Sequence, residues 1–278
     1  MPLPGRWLVM LGCLALLMSN GACAAEVRVM ISSGFYEVYS QMSAEFEATT
    51  GHRLVTTRGP STGDSPEAIP TRLARGEPAD VVILEGGSAD ALSRKGFVRV
   101  DSKIVLARVQ TGLVVRAGAP EPDISSVELF RKVLLSAKSI ACSDSGSGRF
   151  IVETMLPKLG IAEQAMPKIR RVRGPPSGEP VAAVVARGEA EIGLQDASEL
   201  IHVPGIAYVG PIPAALDRNS TYAALITTEA HEPEAAKALI RILSSREAEP
   251  IILKAGLTLP ATTSNNPRQR SLQPGADH

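Results

Sequence analysis

Val27-Arg28-Val29-Met30-Ile31-Ser32-Ser33-Gly34-Phe35 is the stretch that decides the fold class. Val27, Val29 and Ile31 alternate with polar or weaker neighbours, the period of a strand. Phe35, Val38, Tyr39, Met42 and Phe46 then recur at helical spacing until Gly51 stops the helix. Residues 53–57 follow as a short strand, 69–75 as a helix, and Asp80-Val81-Val82-Ile83-Leu84 as an apolar strand. Strand, helix, strand, helix, strand predicts a parallel sheet with crossover helices.

Outward from this unit, Leu113-Val114-Val115 reads as another strand, and Pro120, Pro122 and Asp123 mark a break. The pattern then restarts. Residues 139–142 predict a strand, 149–159 a helix, 168–172 an edge strand, 180–187 a helix, and 192–194 and 206–209 two further strands. Beyond them, 221–227 predicts a strand, 233–244 a helix and 248–254 a short helix ending at Gly256. From Ala261 no periodic apolar face remains, so residues 261–278 are expected to be disordered. Two half-chain α/β units, with a final segment that returns to the first, predict a bilobal fold rather than one barrel.

Ahead of this pattern, Arg6 supplies a positive start, residues 7–18 an apolar run and Ala22-Cys23-Ala24 a small-x-small cleavage site. Residues 1–24 therefore predict an export signal, with the mature chain starting at Ala25. A lipid anchor on Cys23 would call for a Leu-like residue where Asn20 stands. Of the three cysteines only Cys142 lies beyond the leader, so no intrachain disulfide can form and stability rests on packing. The 278-residue chain carries 29 basic and 29 acidic residues; losing Arg6 with the leader leaves 28 against 29, a net charge of minus one. With no basic excess and few aromatics, nucleic acid is not an expected partner.

In open α/β sheets ligands sit beyond the carboxyl ends of the strands, where helix N-termini present free N–H groups. Four Ser/Gly-rich loops stand at such places: Ser32-Ser33-Gly34, Gly59-Pro60-Ser61-Thr62-Gly63, Ser143-Asp144-Ser145-Gly146-Ser147-Gly148 and Gly174-Pro175-Pro176-Ser177-Gly178. Any one of them could be plain N-capping, but four together predict an anionic or strongly hydrogen-bonding ligand. Asp144, Glu179 and Asp196 fall in or beside these loops, either as acid/base groups or as charges favoured by a helix N-terminus. Other chemistry is poorly represented. No G-x-S-x-G elbow, dinucleotide fingerprint or P-loop occurs. His52, His202, His231 and His278 stand alone and are expected at the surface, so neither a metal nor a cofactor is indicated.

In their order, the Ser-Ser-Gly unit, Arg75-Gly-Glu-Pro-Ala-Asp80-Val-Val-Ile, Ser143-Asp-Ser-Gly-Ser-Gly148 and Arg187-Gly-Glu-Ala-Glu-Ile-Gly193 make the stretch from Val27 to about Leu259 resemble periplasmic solute-binding proteins of the molybdate-binding type. The resemblance implies two α/β lobes joined by a two-strand hinge near 112–116 and 210–222. Lobe 1 would comprise residues 25–112 and 211–260, and lobe 2 residues 113–210. It also implies capture of a small oxyanion or polycarboxylate for an ABC-type permease, by a periplasmic monomer. Carried over position by position, the site falls on Ser33 with Ser32 and Gly34 beside it, on Ser61 or Thr62, on Ser147 with Ser145 and Gly148, and on Ser177 or Gly178. The tyrosine that closes the molybdate site would fall at Asp196, next to Gln195, where an acid would repel an oxyanion. Together with the longer second loop, this favours a larger carboxylate ligand met by Arg149 or Arg58. A periplasmic aconitate isomerase is similar to the same family. The alternative is thus an enzyme that moves a proton and a double bond in a tricarboxylate, its base being Asp144, Glu179 or Asp196.

Overall fold

A computed structural model describes residues 24–260. The expected tail, and all of the expected leader but Ala24, lie outside the described residues. Within them, ten strands, β1 (Glu26–Ile31), β2 (Arg53–Arg58), β3 (Val81–Glu85), β4 (Ile104–Val109), β5 (Thr111–Arg116), β6 (Ile140–Ser143), β7 (Ile169–Val172), β8 (Ile192–Asp196), β9 (Ile206–Pro211) and β10 (Ser220–Ile226), form two five-stranded sheets. Their orders are β2-β1-β3-β10-β4 and β7-β6-β8-β5-β9. In each sheet four strands run the same way and one, β10 in the first and β5 in the second, runs against its two neighbours. The result is a two-lobed α/β fold in which each sheet is flanked by helices.

Alternation along the strands explains why each sheet is covered on both sides. Val81 and Ile83 of β3 join Val27, Val29 and Ile31 under the helix Ser33–Thr50, whereas Val82 and Leu84 join Met30, Ile69 and Leu92 on the opposite face. The helix buries Phe35, Val38, Tyr39, Met42 and Phe46 and stops at Gly51, whose φ of 72° suits a residue without Cβ and whose N–H closes on the Glu47 carbonyl. The second sheet is built alike. Leu113, Ile140, Cys142 and Leu194 face Phe130, Met155 and Leu156, and Val114 and Ala141 face Val181 and Val185. Burial pushes the Cys142 thiol to about 11, so it stays protonated and unreactive at neutral pH.

The chain passes from the first sheet to the second at Gln110 and returns through residues 212–219. The segment 112–116 lies inside β5, because pairing with β8 already begins at Thr111 opposite Asp196. Three of the longer elements carry no clear sequence signal: the helix Gly86–Arg94, which opens on two glycines; β4, an edge strand with Ile104 and Val105 exposed; and the helix Val127–Ser136, capped by Ser126 accepting from the Leu129 N–H at 3.2 Å. The helix expected at 149–159 starts at Gly146 and runs through a π turn, Ile151–Met155, to Lys158. His52 departs from the surface reading: it is half-buried, packs against Phe46 and accepts the Ala25 N–H at 3.1 Å.

Candidate functional site between the sheets

The carboxyl ends of β1, β2, β3, β6, β7 and β8 all open into one cleft between the sheets, with a volume of about 290 Å³. This follows from parallel pairing, which sends the strand-to-helix loops of each sheet to a single edge. Ser32, Ser33 and Gly34 enter from β1, and Ser61 and Thr62 from the loop after β2. Across the cleft, Ser145, Ser147, Asp144 and Arg149 enter after β6, Arg173 and Ser177 after β7, and Gln195 and Asp196 from the end of β8. The four hydroxyl-rich loops read from the sequence thus meet at one place.

Their internal bonding shows which groups remain available. Ser61 Oγ accepts the Glu85 N–H at 3.1 Å, and Ser143 Oγ gathers Ser145 Oγ at 3.0 Å, Ser147 Oγ at 2.8 Å and the Gly148 N–H at 3.1 Å. Gly148 therefore acts beneath the cleft: a Cβ there would overlap the Ser143 carbonyl. Arg58 stacks on the Tyr36 ring, 3.9 Å from its centroid, and reaches Ser33 Oγ at 3.4 Å. Ser32 Oγ, Thr62 Oγ1 and Gln195 Oε1 are buried yet lack a hydrogen-bond partner among the described residues. Three unpaired polar atoms on the wall of one cleft are what a ligand-binding surface leaves behind when empty of protein partners.

Two of the expected residues stand elsewhere. Glu179 lies outside the cleft lining, where its carboxylate takes Arg187 in a two-pronged pair at 2.7 and 2.8 Å, and that guanidinium holds its pKa below the usual carboxylate range. Gly178 also lies off the lining, and a side chain there would run into the Arg173 carbonyl. Asp144 and Arg149 sit exposed at the rim.

The floor holds a network that sequence reasoning missed but for Asp196. Arg218, from the return crossing, donates to Glu85 Oε1 at 2.6 Å and to Asp196 Oδ1, and so ties the end of β3 in the first sheet to the end of β8 in the second. Ser220 donates to Glu85 at 2.7 Å, and the buried Tyr222 phenol of β10 donates to Asp196 Oδ2 at 2.8 Å. Burial and the Asp196 charge raise the Tyr222 pKa well above its ordinary value, so the phenol keeps the proton it donates. Gly34 makes room for this ring, since a Cβ at that position would overlap the Tyr222 hydroxyl. The aromatic group at the cleft thus comes from β10, with Asp196 as its acceptor. Beside them Glu199, on the short helix Ala197–Leu200, accepts from Gln195 Nε2 at 2.8 Å. Withdrawal from water, with the Asp196 carboxylate next to it, pushes its pKa up to about 8.

The chain belongs to the family of bacterial extracellular solute-binding proteins, which matches residues 27–258. It is 40% identical over 246 residues to an aconitate isomerase from a Pseudomonas species, covering 87% of this chain and 92% of that one. It is also 26% identical over 265 residues to a molybdate-binding protein of Azotobacter vinelandii, with 91% and 97% covered. Among solved structures, the periplasmic molybdate-binding protein of Azotobacter vinelandii superposes with a TM-score of 0.66 at 22% identity, covering 84% of this chain and 100% of that one. The substrate-binding domain of a putative molybdenum ABC transporter from Clostridium difficile gives 0.65 at 18%, with 86% and 100% covered. At these identities the solved structures establish the shared fold.

Proposed function

We propose that the mature protein is a periplasmic isomerase that holds aconitate between its lobes and moves a proton and a double bond within it. The observation that carries this reading is the cleft floor. There a fixed Arg218–Asp196–Tyr222 network stands beside Glu199, a carboxyl that holds its proton near neutral pH. A carboxyl that keeps its proton, held beside a fixed hydrogen-bond network in one cleft, is what acid–base chemistry requires. In the reaction a C–H bond of the substrate's methylene breaks, its electron pair spreads over the adjacent unsaturated carboxylate system, and a proton returns to the former vinyl carbon. Charge developing on the substrate oxygens is met by the hydroxyls of Ser32, Thr62, Ser145 and Ser147 and by the N–H groups where the helices at Ser33 and Gly146 begin. Arg149 and Arg173 at the rim suit the outer carboxylates. The likeness to an aconitate isomerase over most of both chains supports the same reading.

A second reading, capture of an oxyanion or polycarboxylate for a membrane ABC permease by a monomer, is favoured by the convergence of hydroxyl loops from both sheets. Its lobes would be residues 25–112 with 211–260, and 113–210. Against molybdate itself stand the Asp196 and Glu85 carboxylates on the cleft floor. The deciding experiment incubates purified mature protein separately with cis- and with trans-aconitate and follows the two isomers by chromatography, alongside thermal shifts with molybdate, sulfate and citrate. Conversion in both directions supports the isomerase. Stabilisation by molybdate or sulfate without any conversion of aconitate supports capture and overturns it.

A further inference from the structure

The cleft presents several carboxyl groups, and their bonding separates them. Both oxygens of Asp196 are taken, one by Arg218 and one by Tyr222. The charge of Glu85 is committed to Arg218 and Ser220. Asp144 and Asp64 are exposed at the mouth, in contact with water, and Glu179 is paired with Arg187 off the cleft. Glu199 differs from all of these. It lines the cleft one helical step after β8 and is held through a single oxygen by the Gln195 amide at 2.8 Å. Its other oxygen has no hydrogen-bond partner among the described residues. One oxygen anchored and one free is the arrangement a proton carrier needs, because the anchor fixes the direction in which the free atom reaches.

We propose that Glu199 is the residue that carries the proton from one carbon of the tricarboxylate to the other, an assignment that rests on the isomerase reading of the cleft. In its carboxylate form the free oxygen takes the methylene proton: the C–H bond breaks, an O–H bond forms, and the carbon electron pair delocalises into the neighbouring carboxylate-bearing double bond. The O–H bond then breaks as the proton, which exchanges with water while it sits on the carboxyl, is delivered to the far carbon, where a C–H bond forms. Nothing is oxidised or reduced, and Glu199 ends as it began. Gln195 is the positioning residue, since its amide orients the carboxyl.

The charged and titratable groups facing Glu199 are Arg58 from β2, Glu85 from β3, Asp196 from β8, Arg218 from the return crossing and Tyr222 from β10. Burial, Asp196 and Glu85 disfavour the carboxylate, and the two arginines oppose them; the balance sets its pKa at about 8. Because the step begins from the carboxylate, activity must grow as Glu199 ionises.

The test measures kcat, KM and their pH dependence for aconitate interconversion by the wild type, Glu199→Gln and Glu199→Asp, with aconitate binding followed separately by calorimetry. For Glu199→Gln we expect kcat to fall by at least ~100-fold, in line with the removal of a general base, while the dissociation constant stays within about threefold of wild type. The wild-type kcat/KM should climb through neutral pH and level off above about 8. Glu199→Asp, which keeps the carboxyl but shortens its reach, should recover part of the lost rate. A purely structural role for Glu199 would not move the pH profile and would impair binding together with turnover. Wild-type protein that converts aconitate, combined with a Glu199→Gln variant within about tenfold of it, overturns this assignment alone. Wild-type protein that binds aconitate without converting it overturns the isomerase reading, and the assignment with it.

Discussion

The proton held by Glu199 makes folding stability depend on pH in a way that can be worked out and checked. Its pKa is about 8 in the folded protein and returns to about 4.3 in the unfolded chain. Below both values the carboxyl is neutral in either state and favours neither. As pH rises between them, the unfolded chain releases this proton while the folded chain keeps it, so the folded state loses relative stability. The loss has a ceiling of about 1.4 kcal/mol per pH unit. Glu199→Gln is nearly isosteric, can still take the Gln195 amide bond, and does not titrate. Between pH 5.5 and 7.5 the variant should therefore gain up to about 3 kcal/mol relative to wild type, and at pH 4 the difference should have closed. The one tryptophan, Trp7, falls in the expected leader, so urea unfolding of the mature protein is best followed by far-UV circular dichroism at several pH values. Parallel stability curves for the two proteins across this range would refute the raised proton affinity of Glu199. A variant that loses ground as pH rises would reverse its sign.

The bond between Tyr222 and Asp196 crosses from one sheet to the other inside the protein, so Tyr222→Phe should lower stability by about 1.5–3 kcal/mol, the range for a hydrogen bond to a charged group. Calorimetric melting checks this, and a midpoint unchanged within a degree would count against the bond. Gly34→Ser places an atom where the Tyr222 hydroxyl lies and should cut aconitate turnover by at least ~10-fold, given how steeply rate falls with misplaced groups; steady-state kinetics reads it. Glu179→Gln, on the pair outside the cleft, should leave both kcat and the melting midpoint unchanged within error.

Much of the architecture was legible because burial imposes period. Strands β1, β3, β6 and β8 are continuous or alternating apolar runs, and helix Ser33–Thr50 shows its buried face in the positions of Phe35, Val38, Met42 and Phe46. The edge strand β4 was hidden because Ile104 and Val105 face solvent, which breaks the alternation that marks a half-buried strand. The site divides in the same manner. Its walls are local in sequence, each a Ser/Gly loop at a strand end, and those loops line the cleft. Its floor is non-local. Arg218 bonds Glu85, 133 residues away, and Tyr222 bonds Asp196, 26 residues away, and no local pattern encodes either pair. One signal was available and carries a lesson: Glu85 directly ends the apolar run Val81-Val82-Ile83-Leu84, as Asp196 ends Ile192-Gly193-Leu194-Gln195. A carboxylate that closes a buried parallel strand marks the floor of the ligand cleft as surely as a serine loop marks its wall.

The proposed isomerase breaks and remakes a carbon–hydrogen bond of aconitate. Proton NMR in deuterium oxide, with wild-type mature protein and a single aconitate isomer, tests it directly. The opposite isomer is expected to appear, and the methylene and vinyl signals of the substrate pool to fade as solvent deuterium enters through the exchanging Glu199 carboxyl, both changes being lost in Glu199→Gln. A substrate spectrum that keeps its isomer and its full proton intensity, under conditions where calorimetry shows aconitate bound, would contradict it.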